Sequence, residues 1–364
     1  MRHYKAILCA LLGASALSAH ADWSILKHLP PMPNRQVSTV PPNGDVNPYG
    51  VAIVPPRFHG GESLHAGDIL VSNFNDGGNL QGTGSTIVRI TPSGRTSVFF
   101  QGPAGVGLTT ALGVLEDGFV LVGNVPTTDG TFGTIGQGSL IVLDHKGNVV
   151  ANLTDAALLD GPWDLTIHDM GHRAQVFVSN VLSGTVTRLD LQLGSGVVVK
   201  GATQIASGFA HRSDPAALVV GPTGLVFDER TGSLFVASTG DNGIYEIPHA
   251  AATMADAGIG NLVYTDNVHL HGPLGLVLAP NGHFITTNGD AVNPDPTQPS
   301  EMVEFTRHGE FVAQVPVNST AQGGAFGIAI AGDEERVVLV AVDDILNALD
   351  VWVVKEHRDD DSRH

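Results

Sequence analysis

The sequence predicts an all-β protein, a six-bladed β-propeller of four-stranded antiparallel blades. Three observations lead there. Stretches such as "GPTGLVFDERTGSLFVASTGDNGIYEI" alternate apolar and polar residues with period two between Gly-, Asp- and Asn-rich turns, the pattern of half-buried strands. The unit recurs six times at roughly 50 to 60 residue spacing, long enough for four strands and loops. The 45 glycines, 21 prolines and 15% charged residues suit a turn-dense β chain with almost no helical patterning.

Taken in chain order, residues 1–21 read as a secretory signal: Arg2 and Lys5, an apolar run, then "AHA" before Asp22. Cys9 lies too early in that run, beside the bulky Leu8, for a lipoprotein signal. Cleavage removes the sole cysteine, so packing rather than disulfides must stabilise the mature chain. A periplasmic or secreted protein is expected. No later run approaches the roughly 18 apolar residues of a membrane helix, so no membrane insertion is expected. The formal charge of −18 disfavours nucleic acid and anionic lipid as partners.

First strands follow the openings "NPYGVAIV", "TTALGVLEDG", "GPWDLTIHD", "GPTGLVFDE", "GPLGLVLAP" and "GAFGIAIAG"; second and third strands follow each. Fourth strands are evident in only five units, because after "DVWVV" the chain enters the charged "KEHRDDDSRH". The sixth blade therefore needs an outer strand, and residues 22–41 are expected to supply it, with Arg35 to Pro41 preferred. The propeller then spans 22–355, and 356–364 form a solvated tail. A monomer is expected.

The form P-x-G-[IL]-x-x-D … G-x-[IL]-[FY]-V-[AS], clearest from Pro222 to Ser238, resembles the NHL repeat and the six-bladed superfamily that includes regucalcin and gluconolactonase. The resemblance covers nearly all of the mature chain and implies architecture rather than one activity. In the lactonase branch it implies a divalent cation held by an Asn in P-N-G, an Asp in P-D-G and a Glu near the first opening. Here those places read Thr223, Leu274 and the neighbourhood of Tyr49, and leucine cannot coordinate a hard cation. The metal-lactonase chemistry is therefore not expected, and the sequence names no cofactor.

The inner-strand openings should ring the channel mouth: Tyr49, Leu112, Trp163 with Asp164, Thr223, Leu274 and Phe326. Second strands end at Asn73, Asn124, Asn180, Ser238, Asn288 and Val342. Tyr49, Trp163 and Phe326 from separate blades are expected to surround a pit, with Asn73, Asn124, Asn180 and Asn288 orienting a small polar ligand; a protein partner on the same face is the other possibility. Asn at a strand end equally serves turn chemistry, and the rings equally serve packing. A rival expectation is a lyase or hydrolase using His271, His269 and Asp164, since the two histidines share a strand face in "NVHLHGPLG". "NFNDGGN" and "NPDP" read as Asx turns. No G-x-S-x-G, H-E-x-x-H or phosphate-binding Gly-rich motif occurs.

Overall fold

The computed structural model describes residues 23–333 and 335–355. The expected signal at 1–21 and the tail at 356–364 lie outside the described residues. Six four-stranded antiparallel sheets hold the chain: blade 1 (residues 46–101), blade 2 (108–153), blade 3 (162–206), blade 4 (222–264), blade 5 (273–316) and blade 6 (325–355). In blades 1 to 5 the strands pair in sequence order from the innermost outward.

Blade 6 supplies only three strands of its own, and its fourth comes from the other end of the chain. Arg35–Ser38 pairs antiparallel with Ala348–Lys355, with Arg35 opposite Val351 and Ser38 opposite Ala348. Gln36 Nε2 donates to Asp350 Oδ1 at 2.9 Å, and Thr39 N–H to the Asn347 carbonyl at 3.0 Å. The ring is closed as the missing strand required. Upstream, Ile25 and Leu26 are buried in the apolar layer shared by blades 5 and 6. The fully buried Glu304 carboxylate holds this segment, accepting from the Ser24 hydroxyl (2.6 Å) and the Leu26 amide (2.8 Å).

Why the second strands are continuously apolar follows from the layering. In Arg173–Asn180, Val176 and Val178 pack toward Leu121, Leu140 and Val142 of blade 2, while Phe177 points the other way onto Leu225 and Phe227 of blade 4. Each sheet is covered on both faces by its neighbours, so both residues of the period-two repeat must be apolar. Phe177 and Phe227 stack at 5.0 Å.

Every inner strand breaks register at its opening. In blade 1, Pro48 faces Asn73 but the next regular pair is Val51 with Val71; the same interruption separates Pro222 from Leu225, Pro273 from Leu276 and Ala325 from Ile328. Four bulges contain glycine, and two show why. A Cβ on Gly224 would lie 2.2 Å from the Leu274 carbonyl oxygen, and one on Gly327 would lie 2.3 Å from that of Tyr49. Adjacent strands approach so closely around the channel that only glycine fits. Blade 3 differs, carrying Asp164 in the place of that glycine. Blade 2 has an extra residue between Leu108 and Leu112. Leu112 therefore pairs with Val122 in the register of Val51, and the opening position expected for it belongs to Thr109 and Thr110. Their hydroxyls donate to the Pro162 carbonyl (2.9 Å) and to the Trp163 carbonyl, joining blade 2 to blade 3.

Candidate functional site

A cavity of about 450 Å³ opens where the inner strands begin. Tyr49, Phe74, Trp163 and Phe326 form its floor. Tyr49 lies 4.7 Å from Phe326, 5.0 Å from Phe74 and 5.9 Å, edge-on, from Trp163; Phe74 and Trp163 are 5.5 Å apart. The three expected rings do converge, but as one plug across the channel rather than a fence around a pit. Six inner strands, four of them opening at a glycine bulge, leave a bore that a few aromatic side chains fill. Trp163 is 1% exposed and Tyr49 6%, whereas Phe326 is half-buried.

The walls come from two exit loops and from a hairpin between blades 3 and 4. In the first loop Asn75 donates Nδ2 to Asn79 Oδ1 at 2.7 Å, and Gln81 donates Nε2 to the Ala216 carbonyl at 2.8 Å. That bond ties the loop to the hairpin, whose strands Arg212–Asp214 and Leu218–Val220 turn through Pro215 and place Ala217 and Val219 in the wall. Opposite, Asp290 accepts through Oδ2 from the amides of Gly323 (2.8 Å) and Ser300 (3.1 Å), which fixes the turn after blade 5's second strand. Asp344 completes the rim, and its carboxyl has no hydrogen-bond partner among the described residues.

Electrostatics follow burial. Desolvation pushes the Asp344 carboxyl up to about 7, and the adjacent Asp343 charge adds to the effect. Asp290 is also raised by burial, opposed by its two amide donors. Beneath the plug, Asp164 lines a second, small cavity of about 60 Å³ together with Thr110, Leu112 and Gly275. Burial there pushes Asp164 to about 8, opposed only by the Leu165 amide at 2.7 Å. The Tyr49 hydroxyl is raised too, first by burial; a hydrogen bond from Trp163 opposes this, and Asp344 and Asp164 both add to it.

The remaining expected residues occupy other places. None of Asn73, Asn124, Asn180 and Asn288 lines the mouth cavity. Their side chains join loops to blades: Asn73 Nδ2 donates to the Thr39 carbonyl, Asn124 Oδ1 accepts from the Gly107 amide (2.8 Å), Asn180 Oδ1 from the Asp160 amide, and Asn288 Oδ1 from the His271 amide (2.9 Å). His271, His269 and Asp164 are not brought together. His271 is 2% exposed with Nδ1 at 2.6 Å from the Asn293 carbonyl, so that nitrogen carries the proton. His269 stacks on Phe311 and reaches Asp266 Oδ2 at 2.5 Å. Among the described residues no group of three or more His, Cys, Asp or Glu is arranged to hold a metal. Asp344, Asp290, Phe74 and the hairpin were missed by sequence reasoning; the "SDPA" turn before "LVV" was the available signal for the hairpin.

No protein-family model and no curated protein matches this sequence. Solved structures do. Regucalcin from Agrobacterium tumefaciens, described as a calcium-binding protein, is 14% identical over 88% of this chain and 95% of its own, with a TM-score of 0.51. The two share the propeller fold. A functionally unknown protein from Desulfotomaculum acetoxidans (13% identity, 81% and 83% covered) and a protein named provisionally as a gluconolactonase (15%, 91% and 95%) each have a TM-score of 0.48. The residues here do not fit a hard cation at the inner-strand openings. Leu274 presents only carbon, and the Thr223 hydroxyl already lies within hydrogen-bonding reach of Ala237, Thr239, Pro273 and Leu274.

Proposed function

We propose that this protein is an exported propeller that binds a small polar ligand in the mouth cavity. The observation that carries this reading is the cavity itself: about 450 Å³, floored by aromatic rings and walled by amides and carboxyls. Pockets of this size, with a mostly apolar seat and a few convergent polar groups, suit metabolite-sized ligands. Export is read from the N-terminal pattern of Arg2, Lys5 and "AHA".

The test is thermal denaturation of the mature protein against a panel of glucose, gluconate and choline, since a ligand that binds only the folded state raises the melting temperature. At least one compound should stabilise the native protein. Ala217→Trp, which fills the cavity from the hairpin, should leave ligand-free melting nearly unchanged and abolish that stabilisation. A flat panel, or a shift that survives in the variant, would overturn the assignment.

A further inference from the structure

We infer that the mouth cavity selects a positively charged ammonium ligand, with Asp344 as its counter-ion and the half-buried ring of Phe326 as its seat. This rests on reading the cavity as a ligand site and narrows its chemistry. Two carboxyls, Asp290 and Asp344, line the cavity, and among the described residues no Lys, Arg or His does. An anionic ligand would meet only like charge, inside a chain of formal charge −18.

The two acids have different roles. Asp290 is fixed through one oxygen by the Gly323 and Ser300 amides, whereas Asp344 has no donor at all. A half-buried carboxylate without a donor is a strong acceptor awaiting a charged N–H or a cation. Two amides of the wall add acceptors to the carboxyls. Asn75 is 3% exposed and donates its Nδ2 to Asn79, leaving Oδ1 without a partner; Gln81 donates to Ala216; and Asn47 Oδ1 is also unpartnered. Asn75 Oδ1 and Asn47 Oδ1 thus stand beside the two carboxyls as acceptors without a donor. A neutral polyol brings acceptor lone pairs as well as donors and needs both kinds of partner, while an ammonium cation, with or without N–H groups, is satisfied by oxygens of full or partial negative charge. The floor adds the second half of the recognition, because the faces of aromatic rings attract cations.

The probes are choline, glucose and gluconate, titrated calorimetrically into the mature protein at pH 8 and low salt. Choline should bind, with affinity falling as salt rises, and glucose and gluconate should not compete. Asp344→Asn should weaken choline by roughly tenfold or more, and Asp344→Glu should recover part of the loss. Affinity should also fall as pH drops from 8 to 6, as Asp344 takes up a proton. The titratable groups facing Asp344 are Asp343 on its own turn, Tyr49 from blade 1 and Asp290 across the cavity, none of which supplies positive charge. Melting of Asp344→Asn without ligand confirms that it is folded, and the salt dependence of the native protein tests the charge independently of any variant. Glucose binding as tightly as choline, or choline affinity unchanged in a folded Asp344→Asn, would refute the ammonium inference and leave the ligand cavity standing. No binding by any of the three would refute both.

Discussion

Above and below the aromatic plug lie two cavities, each with an acid raised well beyond the usual carboxylate range, and they differ in size and in what walls them. The upper holds about 450 Å³ and is walled by loops and a hairpin; the lower holds about 60 Å³ and is walled by backbone at glycine-permitted contact. Asp344 and Asp164 owe their shifts to the same cause, desolvation. A perturbed acid is therefore not in itself a site. Access and the supply of complementary groups separate the two.

The most damaging way to break this comparison is to force the lower walls apart. Gly224→Ala and Gly327→Ala each place a methyl group against a neighbouring backbone carbonyl, at 2.2 Å and 2.3 Å, and should each lower stability by roughly 5 kcal/mol. Chemical denaturation measures this, and an unchanged midpoint would show that the ring has slack. Next is Trp163→Ala, which removes the wall between the cavities. It should cost about 3 to 5 kcal/mol and, by letting water reach Asp164, bring that carboxyl back toward the usual range. Titration of the Asp164 carboxyl by NMR in the folded variant reads the second effect directly.

The smallest effect sharpens the comparison through pH. Asp350, Asp344 and Asp164 are raised to about 6, 7 and 8, so the folded chain keeps these protons at pH values where the unfolded chain has released them. With respect to these groups, stability is greatest below about pH 4 and declines as pH rises through each folded value. Asp228 and Asp266 are depressed and act oppositely, adding stability above about pH 4 that is lost on acidification. The melting temperature should therefore peak between about pH 4 and 6. Asp164→Asn should match the native protein near pH 4 and exceed it at pH 8 by about 1 kcal/mol or more. Equal melting at pH 8 would place Asp164 in contact with water.

The propeller was legible because repetition is a one-dimensional signal: six copies of one alternating pattern, and a sixth unit visibly short of a strand that Arg35–Ser38 then provides. Tyr49, Trp163 and Phe326 were legible as a group because they occupy one repeat position. The way they meet was not, since it depends on the bore of the ring, which Gly224 and Gly327 set through contacts with a different blade. Asp344 was invisible for a related reason. In "AVDDILN" it reads as a turn acid, and only the convergence of blades 1, 5 and 6 desolvates it. Asn73 and its counterparts illustrate the reverse: a regular position that repeats because blades 1, 2, 3 and 5 each anchor there the loop entering their inner strand.

The strand that completes blade 6 also imposes an order of events. Gln36 and Asp350, which bond across that seam, are 314 positions apart. Five blades can assemble from local hairpins, but the seam cannot form until the strand at 348–355 is available. Joining such distant segments is a slow, entropy-limited step. Until then the outer edge of the sixth blade presents unpaired backbone, so a nascent or truncated chain is exposed to strand addition by its neighbours. The strand at 348–355 thus decides when residues 35–38 become part of a fold.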